Sequence, residues 1–191
     1  MKTRNKALVL TLCAVLLVVA TVMGTLAYLT AETQKITNTF TVGQVKIDLK
    51  ETTTAYKMVP GCEISKDPKV IVKAGSEACW LFVKVEKTND VDSYLNYSIA
   101  TGWTQLEKDG NKVDGVYYRD VASNAAEQQF AVLTDNKVTV KDTVTSDMMK
   151  TAETNAPTLS FTAYAFQKAN GNGTFTVNEA WEKLTATPVT P

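Results

Sequence analysis

Residues 158–167 (TLSFTAYAFQ) alternate without a break, with Leu159, Phe161, Ala163 and Ala165 on one face. A period of two marks a strand, because successive side chains leave a pleated backbone on opposite sides. The pattern recurs along the chain. Val45, Ile47 and Leu49 alternate with Lys46, Asp48 and Lys50. Phe40 and Val42 lie on the opposite parity, so the phase flips at Gly43, where a bulge is expected. Residues 69–73 (KVIVK) form a short run. Residues 79–87 (CWLFVKVEK) start apolar on both faces and end alternating, with Leu81, Val83 and Val85 inward. Leu95, Tyr97 and Ile99 alternate, and Gly102-Trp103 opens another short segment. Strands are expected at 116–121, 129–133 and 137–140.

Turn residues separate these runs. Lys108-Asp109-Gly110-Asn111, Asp114-Gly115 and Asp135-Asn136 read as turns, and Asn170-Gly171-Asn172-Gly173 ends the longest strand. The 24 threonines between residues 28 and 191 suit a pleated surface better than a helix. Two helical pieces are expected. One covers about a turn at 146–151; the other opens at Thr176-Val177-Asn178-Glu179, a capping-box spacing, and runs through Trp181 and Leu184. The fold class that follows is all-β, an antiparallel jelly-roll-like β-sandwich with one or two short helices, over residues 28–184. A Thr/Pro tail occupies 185–191.

The first 27 residues stand apart. Lys2, Arg4 and Lys6 precede 17 uncharged residues, 7–23, and then Gly24-Thr25-Leu26-Ala27. A basic start, an apolar stretch and a small terminal residue describe a secretory signal peptide, with cleavage expected between Ala27 and Tyr28. The apolar run also approaches the lower limit of a membrane span, so an uncleaved anchor is the alternative. The exported chain would carry 17 basic against 20 acidic residues, a formal charge of −3, with no electrostatic reason to hold to anionic lipid. No second apolar span, Leu-Pro-x-Thr-Gly sorting motif or lipobox cysteine appears in it. The product is therefore expected to be secreted, with no membrane attachment after cleavage.

Cys62 and Cys79 are the cysteines left after cleavage, and export places them where a disulfide could persist. A bridge would close a loop of 18 residues, worth about 3 kcal/mol if unstrained. The alternative is two reduced thiols, with Cys79 buried as a small hydrophobe at the head of its strand.

Composition narrows the chemistry. The chain has no histidine, which excludes a Ser-His-Asp triad, a Cys-His pair and a His-Glu-x-x-His zinc site. Twenty basic and twenty acidic residues give no basic excess, so a nucleic-acid partner is not expected. Asn89-Asp90-Val91-Asp92-Ser93 holds two carboxylates but lacks the glycine and distal glutamate of an EF-hand, and reads as a solvated turn. Trp80, Trp103 and Trp181 read as core and rim packing rather than a stacking platform. No spacing among the acids singles out a glycosidase pair. No catalytic residue, metal site or cofactor is expected.

The leader ending in Gly24-Thr25-Leu26-Ala27-Tyr28-Leu29-Thr30, followed by Asn38-Thr39-Phe40-Thr41-Val42-Gly43 and an alternating strand, resembles the TasA/camelysin family of exported Gram-positive proteins. Pro60-Gly61, the strand at 80–85 and Ala163-Tyr164-Ala165-Phe166-Gln167 are similar to members of that group, while the match in the middle is loose. Asn38, Thr39, Phe40 and Gly43 carry the most specific element. The resemblance implies a signal cut by a dedicated signal peptidase of the SipW type. It also implies a jelly-roll domain in the extracellular matrix or at the cell surface, acting as a biofilm-matrix filament subunit. In such filaments the N-terminal strand of one subunit completes the sheet of the next. The partners implied are copies of the chain itself and an accessory anchoring protein.

Residues 28–39 (YLTAETQKITNT) suit that role, being polar, extended and free of glycine and proline. Such a segment presents a row of backbone donors and acceptors to a sheet edge, with Tyr28, Leu29 and Ile36 as pocket-fillers. The plain alternative is a frayed start before the first strand. The camelysin branch supplies a surface metalloprotease as a second reading, against which the missing histidine argues. A surface binding module that does not assemble is the third.

Overall fold

The computed structural model describes residues 44–186. The longest apolar run organises it. β4 (Cys79–Thr88) is central in a four-stranded antiparallel sheet, flanked by β10 (Thr158–Gln167) and β7 (Asn111–Val121), with β6 (Thr104–Lys108) beyond β7. All ten residues of β10 are in register with β4, from Thr158 opposite Thr88 to Gln167 opposite Cys79. A second antiparallel sheet orders β1 (Ile47–Lys50), β3 (Lys69–Val72) and β8 (Gln128–Ala131). A third sets β9 (Lys137–Val140) between β2 (Glu63–Ser65) and β5 (Leu95–Asn96). The all-β antiparallel sandwich expected from the alternating runs is present, with this small third sheet added.

β4 reads apolar on both faces because it is covered on both. Leu81, Val83 and Val85 point with Leu159, Phe161, Ala163 and Ala165 of β10 into a core shared with Val70 and Val72 of β3. Phe82 points the other way, beside Trp80, Tyr118, Tyr164 and Phe166. Ala180, Trp181 and Leu184 of the C-terminal helix α3 (Val177–Ala186) cover that face. Trp181 lies 5.2 Å from Phe82 and 5.7 Å from Tyr164, centroid to centroid. Phe82, fully buried at the centre of that face, contributes roughly 1.5–3 kcal/mol.

The helices start where the chain supplies caps. The Thr176 hydroxyl accepts from Glu179 N at 3.3 Å, and Thr176 N donates to Glu179 Oε2 at 2.7 Å, the reciprocal capping box. The Thr176 N–H and hydroxyl both donate to Glu179 Oε2, and these two bonds hold the Glu179 carboxyl below its ordinary pKa. The helix α2 (Ser146–Thr154) extends past the single turn expected, capped by Thr145, whose side chain accepts from Met148 N. Its Met148, Met149 and Ala152 pack with Tyr94 and Val140 over the third sheet. A one-turn helix, α1 (Val91–Tyr94), arises within the stretch read as a solvated turn. The carboxylates there are spent locally: Asp90 on the Ser93 hydroxyl at 2.6 Å, Asp92 on Lys87 at 2.9 Å.

Other expectations are corrected by tertiary context. Asp109 and Gly110 both take positive φ and turn β6 into β7, as read. Asp114-Gly115 is not a turn. It lies inside β7 at an irregularity in the β6–β7 register, where a Cβ on Gly115 would meet the Val85 carbonyl at 2.3 Å. The glycine allows a close approach of two backbones, which local sequence does not distinguish from a turn. Of the Leu95, Tyr97, Ile99 alternation, only Leu95–Asn96 pairs as a strand, and Ile99 makes an isolated bridge to Leu133. The Gly43 bulge, Phe40 and Val42 lie outside the described residues. No helix among the described residues is long and apolar enough to cross a membrane.

Candidate functional site

β1 and β10 are outer strands of facing sheets, and they contact each other. Beside them opens a groove of about 910 Å³. Its apolar wall includes Leu49, Met58, Ile64, Leu95, Leu159 and Phe161. Leu49 shares the parity of Val45 and Ile47 and is expected inward, yet it is 37% exposed. β1 has there run past the core to the groove, so its last apolar side chain faces the opening.

A buried cation lines the same space. Lys66 follows β2 on the parity of Ile64, so alternation sends it inward, and only 7% of its surface remains exposed. Its Nζ meets Glu51 Oε1 at 2.7 Å and lies 5.1 Å from the Tyr56 ring centroid and 5.3 Å from that of Phe161. Two aromatic faces and one carboxylate replace the water lost on burial. The Tyr56 hydroxyl donates to Glu51 Oε1 at 2.7 Å and also contacts the Thr53 carbonyl. Burial, reinforced by Glu51, pushes the Tyr56 phenol pKa well up, so it stays a donor.

The neighbouring residue fastens the same loop. Thr52 donates to the Asp67 carboxylate from its backbone N at 3.0 Å and its hydroxyl at 2.8 Å. Those bonds hold the Asp67 carboxyl below its usual range. Lys66 and Asp67 thus tie the irregular loop 51–62 against the sandwich at two adjacent points. With ammonium and carboxylate spent on each other, the groove offers apolar surface and hydrogen bonds for binding. Beside it lies the edge of β10, whose pairing partner among the described residues is β4 alone.

Most residues singled out from the sequence lie outside the described residues. These are Ala27 and Tyr28 at the cleavage point, Leu29 and Ile36 of the N-terminal segment, and Asn38, Thr39, Phe40 and Gly43. The two cysteines are described, and they stand as the second of the two arrangements: both are free, Cys62 exposed and Cys79 buried at the head of β4. Their backbones bond to different sheets. The carbonyl of Cys62 accepts from Val140 N at the third sheet, while Cys79 opens β4 opposite Val121. Burial, with a smaller push from Asp120, raises the Cys79 thiol to about 11.

The tryptophans are spread through the packing. Trp80 Nε1 donates to the Phe175 carbonyl and Trp103 Nε1 to that of Ala131, each at 2.8 Å. Sequence reasoning missed the Lys66, Glu51 and Tyr56 cluster. The inward parity of Lys66 was the one available signal, and it needs β2 to be recognised as a strand first. Comparison with protein-family profiles, curated proteins and solved structures returned no match.

Proposed function

We propose that this chain is a secreted, non-enzymatic structural subunit of extracellular filaments, exported by its N-terminal signal and joined to copies of itself by strand addition. The observation that carries the reading is the edge of β10. Ten residues long, it pairs on one side only among the described residues and flanks an apolar groove. An unpaired edge of that length templates another strand, and long edges are otherwise blunted or covered. Residues 28–39 supply a segment of the right character, with Tyr28, Leu29 and Ile36 to fill pockets. The resemblance to the TasA/camelysin family supports the same direction. Head-to-tail pairing of this kind does not close on itself and so propagates.

The test is electron microscopy of the purified mature chain beside three variants. Deleting residues 28–37 is expected to abolish filaments and leave the sandwich folded by circular dichroism. Ile36→Asp is expected to weaken assembly more than Thr33→Asp. Ser160→Lys places a charge on the exposed start of β10 and is expected to slow elongation. Filaments from the deleted chain, or a mature chain that stays monomeric at high concentration after seeding, would sink the proposal.

A further inference from the structure

The segment between β10 and α3 carries two consecutive Asn-Gly pairs, Asn170-Gly171 and Asn172-Gly173, on an exposed tip. Its base is firmly held. Lys168 N donates to the Ala78 carbonyl and Phe175 N to the Lys168 carbonyl, each at 2.8 Å, and Ala169 bridges Thr174. The Phe175 ring rests 5.2 Å from that of Phe166.

Within the tip the two asparagines differ. Asn170 Oδ1 accepts from Asn172 N at 3.1 Å, and Asn170 N donates to the Gly173 carbonyl at 3.1 Å. Among the described residues nothing holds the Asn172 side chain or the Gly173 N–H. The acyl carbon and the amide nitrogen that would attack it are therefore both unrestrained at 172–173. At 170–171 the side chain must first release its bond.

We infer that Asn172 is a site of spontaneous backbone-assisted deamidation. The Gly173 amide nitrogen loses its proton and attacks Asn172 Cγ, forming the nitrogen–carbon bond of a succinimide. The Cγ–Nδ2 bond breaks, and the amide group leaves as ammonia after taking up a proton. Water then opens the ring at either carbonyl, giving aspartate or isoaspartate. Solvent is the co-reactant, and no electrons change hands. Glycine after the asparagine matters because no Cβ obstructs the approach. Each event adds one negative charge to a segment, 28–191, that already carries a formal −3. The pinned base confines the extra backbone atom of isoaspartate to the tip. The inference is independent of the assembly reading.

The test follows the folded mature chain over time at mildly acidic and mildly alkaline pH, with peptide mapping by mass spectrometry. The expected result is amide-to-acid conversion at Asn172 severalfold ahead of Asn170, faster at alkaline pH, with both aspartate and isoaspartate products. Asn172→Gln should lose the conversion at that position. Gly173→Ala should slow it severalfold without disturbing the fold, since the added Cβ meets only Asn170 Oδ1, at an ordinary 3.8 Å. The inference is overturned if Asn170 converts first, or if Gly173→Ala leaves the rate unchanged. It is equally overturned if the folded chain stays unmodified while the urea-unfolded chain converts.

Discussion

Replacing Glu51 by glutamine tests whether the Lys66 cluster holds the groove together. The substitution keeps shape and an acceptor oxygen for Tyr56, and removes only the charge. Lys66 is then an ammonium 7% exposed, with two rings but no counter-ion. Removing one partner of a fully buried pair costs about 3–5 kcal/mol, and an exposed pair is worth about 0–1 kcal/mol. Side-chain exposures of 9% for Lys66 and 15% for Glu51 place this pair between those limits, at about 2 kcal/mol. Lys66→Met should cost less, about 1 kcal/mol, because methionine fills the slot between the rings and Glu51 can turn toward water. The double variant should lie near Lys66→Met, giving a coupling of about 2 kcal/mol. Urea denaturation reads these values as shifts in midpoint at constant slope. If both single variants cost under about 0.5 kcal/mol with no coupling, the pair is a solvent-screened surface contact and the reasoning fails. If Lys66→Met costs more than Glu51→Gln, ring contacts rather than charge carry the cluster.

Gly115→Ala, at φ +65° with its Cβ 2.3 Å from the Val85 carbonyl, should cost about 3 kcal/mol or more. Gly110→Ala, also at positive φ but with open space around it, should cost about 1 kcal/mol, and chemical denaturation compares the two. Thiol alkylation of the folded protein near pH 8 should modify Cys62 and spare Cys79, whose thiolate fraction there is only about one in a thousand for a pKa of about 11; equal labelling would contradict the burial. Thr176→Ala should lower stability by about 1 kcal/mol through loss of the α3 cap, seen as a lower melting temperature. The same variant should also blunt acid sensitivity. The folded pKa of Glu179 lies below its unfolded value, so its contribution is present above the unfolded carboxyl range and is lost as pH falls through the folded value. Melting curves across the acid range check that sign.

The strands most legible in the sequence are those whose pairing agrees with their own alternation. β10 and β9 begin and end where their patterns do, and the doubly apolar start of β4 announces a strand covered on both faces. The capping box at Thr176 is equally local, since both partners lie within one turn. Such features depend on backbone period and on neighbours a few residues away, which a linear reading contains. Tertiary structure decided the rest. Asp114-Gly115 has the residues of a turn, and only the approach of the Val85 carbonyl, thirty residues earlier, turns that glycine into a bulge inside a strand. Leu49 has an inward parity, but how far a core extends along an edge strand depends on what lies across from it. Cys62 and Cys79 are near enough in sequence to suggest a bridge, and only the fold leaves one exposed in a loop and buries the other at the head of β4. The Lys66 cluster is the clearest case. Its carboxylate and two rings come from positions 51, 56 and 161, so no spacing reveals it. A buried charge is tolerated only when partners converge on it from distant parts of the chain, and convergence is a property of the folded molecule alone.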